Sequence, residues 1–238
     1  MPHATLRLPP PDLAALPPER LEAMHDAAAL LLETRAAFAR SGTSVLGEVL
    51  RDQGAFTIWQ NYPRGDVFDT ESHCHYFYHA HTPEEMDPGE NGHFHIFLRP
   101  EEIDPSLAPW DVPGAAPLPA PGARFAHLCA IGMDAQGAPT RLFVTNAWVT
   151  GETLYRATDL VPLIERFRIG VVHPNWAISE WLTAVVALFA PQIEALLGAR
   201  DAALIAGLGP EDRSAQNLAE AALDISAQIV ALENALGL

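Results

Sequence analysis

Ser72-His-Cys-His-Tyr-Phe-Tyr-His-Ala-His81 and, after an eleven-residue connector, His93-Phe-His-Ile-Phe-Leu-Arg99 are the two runs that decide how this chain is read. Six of the ten histidines lie in them. Both runs are rich in aromatic and long or branched apolar residues. The connector Thr82-Pro-Glu-Glu-Met-Asp-Pro-Gly-Glu-Asn-Gly92 is turn-forming, so two antiparallel strands are expected. Side chains alternate faces along a strand. His73, His75, Phe77, His79 and His81 therefore share one face of the first strand, and His93, His95, Phe97 and Arg99 share one face of the second. The opposite faces carry Tyr76, Tyr78 and Ala80, and Phe94, Ile96 and Leu98, which is a core pattern.

A simple hairpin would set His81 across from His93, His79 across from His95, and Phe77 across from Phe97. Directly opposed residues have Cβ atoms roughly 4.5–5.5 Å apart, so four imidazoles would come within reach of one ion. The expected metal ligands are His79, His81, His93 and His95, with Glu85 or Glu90 of the connector as a carboxylate ligand. Imidazole suits several transition metals and no thiolate cluster narrows the choice, which leaves Fe, Cu, Zn or Mn. Haem is the other group such a face would serve. Tyr76 and Tyr78 point to the core face, so Arg99 and Asp66 are the expected catalytic groups. His73 and His75 lie farther from the connector and read as ordinary polar surface. His127 and Cys129, expected on one face of a later strand, read as structural.

Working outward, Pro17-Pro18 precedes a helix with Leu21, Met24, His25, Ala28, Leu31 and Leu32 at helical spacing, stopped near Gly42. His25 sits on that stripe as a packed core residue. A short helix over Val45 to Arg51 follows, then from Ala55 a period of two, with Phe56, Ile58 and Tyr62 on one strand face. Pro63-Arg-Gly-Asp66 is expected to be a turn. Residues 100–122 are rich in proline with Trp110 as an apolar anchor, and read equally as a lid over the histidines or a passive excursion. A second hairpin is expected from Arg124 to Met133 and Thr140 to Thr150, turned at Asp134-Ala-Gln-Gly137. Helices are expected over Asp159 to Phe167, over Asn175 to Leu196, and from Gly209-Pro210 to the end. In the last one Leu218, Ala222, Ile225, Ile229, Leu232 and Leu236 form a seam, expected against the Asn175–Leu196 helix or in a homodimer.

These elements make one α+β domain over residues 1–238: helical to 54, a small antiparallel sheet of about five strands over 55–150, and helical over 151–238. A formal net charge of −16 argues against nucleic acid or an anionic membrane as partner, and leaves a small-molecule substrate. No apolar run is long enough to span a bilayer, and Met1-Pro-His-Ala-Thr-Leu-Arg-Leu lacks a signal core, so a cytoplasmic protein is expected. Cys74 and Cys129 are expected to be reduced thiols.

Three families resemble the histidine strands. Gly92-His-Phe-His-Ile-Phe97 resembles the histidine-triad nucleotide hydrolases, but Phe97 stands at the third position. The spacing His79-x-His81-x3-Glu85-x6-Gly92 resembles the first cupin metal motif, but the glycine expected before it is His73 and no second motif follows. Trp59-x-x-Tyr62-Pro-x-Gly65-Asp66-Val67, with Tyr78-His-Ala-His81, Gly92-His-Phe-His95-x-Phe97-x-Arg99 and Asn146-x-Trp148-Val-Thr-Gly151, is similar to a family of uncharacterised bacterial proteins known only as a domain of unknown function. That resemblance implies a shared fold and histidine site and no activity.

Two classes of function follow from the residues. One is a metal-dependent enzyme, a non-haem oxidoreductase ahead of a hydrolase. The other is a non-catalytic protein that binds, stores or senses a metal or haem. A closed four-histidine tetrahedron would favour the second, and an open coordination position beside a cavity the first.

Overall fold

The computed structural model describes residues 4–112 and 124–238. In chain order the elements are β1 (Leu6–Arg7), α1 (Pro18–Arg40), α2 (Val45–Val49), β2 (Tyr62–Asp69), β3 (Cys74–His79), β4 (Glu90–Leu98), α3 (Pro100–Ile103), β5 (Ala126–Asp134), β6 (Pro139–Thr145), α4 (Ala147–Thr150), α5 (Ala157–Ile164), α6 (Trp176–Leu188), α7 (Ala190–Ile205), β7 (Asn217–Ala222) and α8 (Ile225–Leu236). Among the described residues the strands form one seven-stranded sheet in the order β1-β7-β6-β5-β4-β3-β2. Among these described strands only β1 and β7 pair in parallel. The fold class is therefore as expected, with two more strands than the sequence suggested.

One sheet face is apolar because the alternation in β3 and β4 makes it so. Tyr76, Tyr78, Phe94, Ile96 and Leu98 are fully buried and belong to one continuous core with Trp181 of α6. On α1 the stripe is Leu21, Met24, Ala28, Leu31 and Phe38; His25 lies outside it and is exposed, contrary to the packed role expected. The expected Asn175–Leu196 helix is two helices, α6 and α7, bent by 69° at Phe189. Pro191 explains the break, since it lacks an N–H and its ring clashes with the carbonyl one turn back. No single helix among the described residues is long and apolar enough to cross a membrane.

Four local expectations are corrected. Residues 55–61 are not a strand: Trp59 has φ +65°, and the chain becomes extended only at Tyr62. Pro63 to Asp66 is not a hairpin turn but the irregular part of β2, between the Tyr62↔Tyr78 and Val67↔Tyr76 pairs. Residues 147–150 are helical, started by the Asn146 side chain accepting from Ala147 N at 2.9 Å, so β6 ends at Thr145. The C-terminal seam also fails in its first half. Leu218 lies in β7, which fills the sheet between β6 and β1; only from Ile225, after the Asp224 cap, is the chain helical. A free β6 edge full of unpaired N–H and C=O groups outweighs helix propensity there. α8 packs against α1, and its Gln228 donates to Leu188 O at 3.0 Å.

The hairpin turn at Asp134 to Gly137 and the short helices α2 and α5 are as read from sequence, and Cys74 and Cys129 are buried free cysteines. Trp110 is indeed an anchor. It packs with Val112, Ala147, Leu154 and Leu204, and the Arg156 guanidinium lies 4.6 Å from its ring centroid. The segment over residues 100–122, read equally as a lid or a passive excursion, lies outside the described residues from position 113 onward.

Candidate metal centre

The histidine face is opposite the apolar one. Its register differs from the simple hairpin: His79 pairs with His93, Phe77 with His95 and His75 with Phe97. The slip is two residues, because the connector carries a helical turn over Pro83–Glu85 and β4 begins at Glu90. A slip of two keeps every side chain on its face. His81 lies beyond the end of β3, and its ring is brought back by stacking on Trp59 (centroids 4.1 Å, interplanar angle 18°).

The imidazoles meet. His79 Nε2 stands 3.0 Å from His93 Nε2, 3.2 Å from His95 Nε2 and 3.3 Å from His81 Nε2. His79, His93 and His95 each offer a ligand atom within 4.8 Å of the others, so these three could hold a metal ion. With metal–nitrogen bonds of about 2.0–2.1 Å, two ligands on one ion lie roughly 2.9 Å apart in an octahedron and roughly 3.3 Å apart in a tetrahedron. The three separations from His79 Nε2 fall in that interval. Small residues make the room: Gly132 and Ala130 of β5 stand opposite His93 and His95.

A second layer of polar groups orients the rings. His93 Nδ1 donates to Glu90 Oε1 at 2.7 Å, which leaves its Nε2 lone pair for the centre. Glu90 is itself held by Arg141, whose Nε is 2.9 Å from Oε2, and Arg141 also pairs with Asp87 and Glu220. His95 Nδ1 lies 3.0 Å from His127 Nε2, and Thr145 Oγ1 lies 3.4 Å from His127 Nδ1. His127 was not expected here. β5 carries a bulge between its Cys129↔Ile96 and His127↔Phe97 pairs, so Leu128 is an extra residue and the two flanking residues fall on opposite faces. Cys129 goes to the apolar core and His127 to the histidines.

Burial, followed by the neighbouring imidazoles, lowers the His79 pKa to about 3. Burial takes His93 and His95 well below the usual imidazole value, and lowers His81 against the pull of Glu85 and Glu90. Burial likewise lowers His127 to about 3. All are therefore neutral at pH 7, the form that donates a lone pair to a metal. Burial raises Glu90, with Arg141 opposing.

Glu85 borders the same small cavity as His81, Glu90, His93 and His95, while its carboxylate caps its own turn, accepting from Thr82 N and Thr82 Oγ1 at 3.2 and 2.8 Å. The remaining expected residues lie outside the cluster. Arg99 follows the far end of β4 and pairs with Glu102 at 3.2 Å. Asp66 accepts from Asn61 Nδ2 at 2.9 Å in the irregular part of β2. His73 precedes β3 with φ +58°, off the strand face, and its Nδ1 lies 2.8 Å from Glu102 Oε2. His75 shares the histidine face but is sandwiched between Phe68 and Phe97, with centroids 4.6 and 4.5 Å away.

A family model described as Domain of unknown function (DUF6969) matches residues 25–230. The chain belongs to this family. The DUF6969 match includes all four clustered histidines, Glu90, His127 and Arg141, so the resemblance read from the histidine runs is met. No curated protein and no solved structure matches the chain.

Proposed function

We propose that the protein is a metal-dependent enzyme whose single transition-metal ion is held by His79, His93 and His95, with His81 as a fourth imidazole. The observation that carries this reading is the crowding at His79 Nε2, which has three other imidazole nitrogens at 3.0–3.3 Å. A ring nitrogen carries either one hydrogen or one lone pair, so it can satisfy at most one good hydrogen bond. A cation at the common focus turns the remaining repulsions into ligand bonds. The bound metal would supply Lewis acidity or electron transfer. Glu90 and His127 would hold His93 and His95 in the ligating tautomer.

An oxidoreductase is favoured over a hydrolase. A hydrolase needs a base beside the metal-bound water, whereas Glu90 is engaged by His93 and Arg141 and Glu85 by Thr82. The all-imidazole set suits Fe or Cu as well as Zn. The acidic chain supports a small-molecule partner rather than nucleic acid. The alternative, a protein that stores or senses metal, is supported by the depth of burial of His93 and His95.

The test is metal analysis of protein purified without an affinity tag, with its visible and electron paramagnetic resonance spectra. About one ion per chain, lost in the His79→Ala variant, is expected. Absence of metal after expression in metal-replete medium, or equal metal in the variant, defeats the proposal. Repeated rather than stoichiometric oxygen consumption with a chemical reductant would separate the enzyme from the storage reading.

A further inference from the structure

We infer that the open coordination position of this centre accepts only a ligand of one or two heavy atoms, such as water, hydroxide or dioxygen, and excludes organic molecules from direct contact with the metal. The inference rests on the metal reading above and deepens it. Beside the histidines lies a cavity of about 10 Å³, bordered by His81, His93, His95, Phe143 and Val149 and by the exposed Glu85, among others. A cavity of roughly 10–15 Å³ on this measure holds one water molecule.

The walls are fixed by the fold. His93 and His95 sit in β4, which is paired on both sides. Phe143 meets the His93 ring edge-on at 5.3 Å and is itself covered by the Arg141 guanidinium at 4.2 Å. Thr145 is tied to His127. Widening the cavity on these sides would break strand pairing or the Arg141 cluster. Val149 is different. It comes from the four-residue helix α4 and is only half-buried, so its side chain narrows the cavity without supporting the sheet, as do those of Glu85 and Gln216.

The experiment uses the full chain loaded with Co(II), whose visible bands report ligand binding. Fluoride, a one-atom probe, should change the bands, whereas imidazole should leave them unchanged in the wild-type protein. Val149→Ala should admit imidazole with an affinity gain of about tenfold or more, since one methylene in a pocket is worth roughly 10–200-fold. Gln216→Ala, at a half-buried lining position that precedes β7, is the second variant should Val149→Ala fail to fold. Bands that respond to imidazole as strongly as to fluoride in the wild type overturn the inference. So does a wild-type spectrum indifferent to both probes, or an enlarged variant that still refuses imidazole. A chain that takes up no Co(II) defeats the metal reading instead, and the metal analysis above reveals that separately.

Discussion

His127 Nε2 stands 3.0 Å from His95 Nδ1 because β5 holds one residue more than the partner strand requires. The pair fixes which nitrogen of His95 faces the centre. Replacing His127 by Phe should lower metal affinity by about 10–100-fold, the usual cost of losing a group that orients a ligand. His127→Asn, which keeps an acceptor, should recover part of it. Competition against a chromophoric chelator measures both; a His127→Phe protein with wild-type affinity would leave the histidine as mere packing.

His93→Ala and His81→Ala should each lose most of the bound metal while the circular dichroism spectrum stays native, because the apolar faces of the same strands are untouched. His25→Ala and His173→Ala, both exposed positions, should retain it. Loss of metal in either control would point to uptake by scattered surface imidazoles.

The metal-free protein should weaken in acid. A histidine whose folded pKa is about 3, against about 6.5 unfolded, binds its proton only in the unfolded state across that window. Stability should therefore be independent of these groups above pH 6.5 and fall steadily from pH 6.5 toward 3. Thermal melts across this range are the check. A His79→Phe variant should show a shallower decline, and a slope identical to wild type would mean that His79 does not contribute.

Two glycines should respond oppositely to alanine. At Gly92 a Cβ would stand 2.4 Å from Tyr78 Oη and 2.5 Å from His79 O, so Gly92→Ala should destabilise by ~1–3 kcal/mol and loosen the His79–His93 pair. Gly198 in α7 has nothing within 4 Å of that position and should gain ~0.5–1 kcal/mol. Denaturant melts resolve both signs.

Deleting residues from Glu211 onward should unfold the protein rather than merely expose a helix-packing face, since β7 lies between β6 and β1. A truncated chain that keeps a cooperative transition would show that β6 tolerates a bare edge.

Much of the site was legible because alternation is local. The core face of Tyr76, Tyr78, Phe94 and Ile96 and the histidine face behind it follow from side-chain parity in the strand itself. Register was not legible. It depends on how many connector residues are absorbed by the Pro83–Glu85 turn, and only because the error was an even number did the histidines still meet. His127 was hidden by the opposite accident, one extra residue that changes face assignment and leaves no trace in composition. β7 was mistaken because Leu218 and Ala222 fit helical spacing, and what decides their conformation is an edge of β6 more than seventy positions earlier.

The ion-pair chain running from Glu90 through Arg141 to Glu220 and Arg7 joins the histidine centre to the first and last strands of the sheet. On the ribosome, β3, β4 and β5 emerge long before residue 220. Until then Arg141 lacks one of its carboxylates and β6 has a bare edge, so the imidazoles gather on a scaffold that is not yet closed. The order of the imidazoles thus draws on residues far beyond the strands that carry them, and a chain interrupted before β7 would present the histidines without the Glu220 half of that clamp.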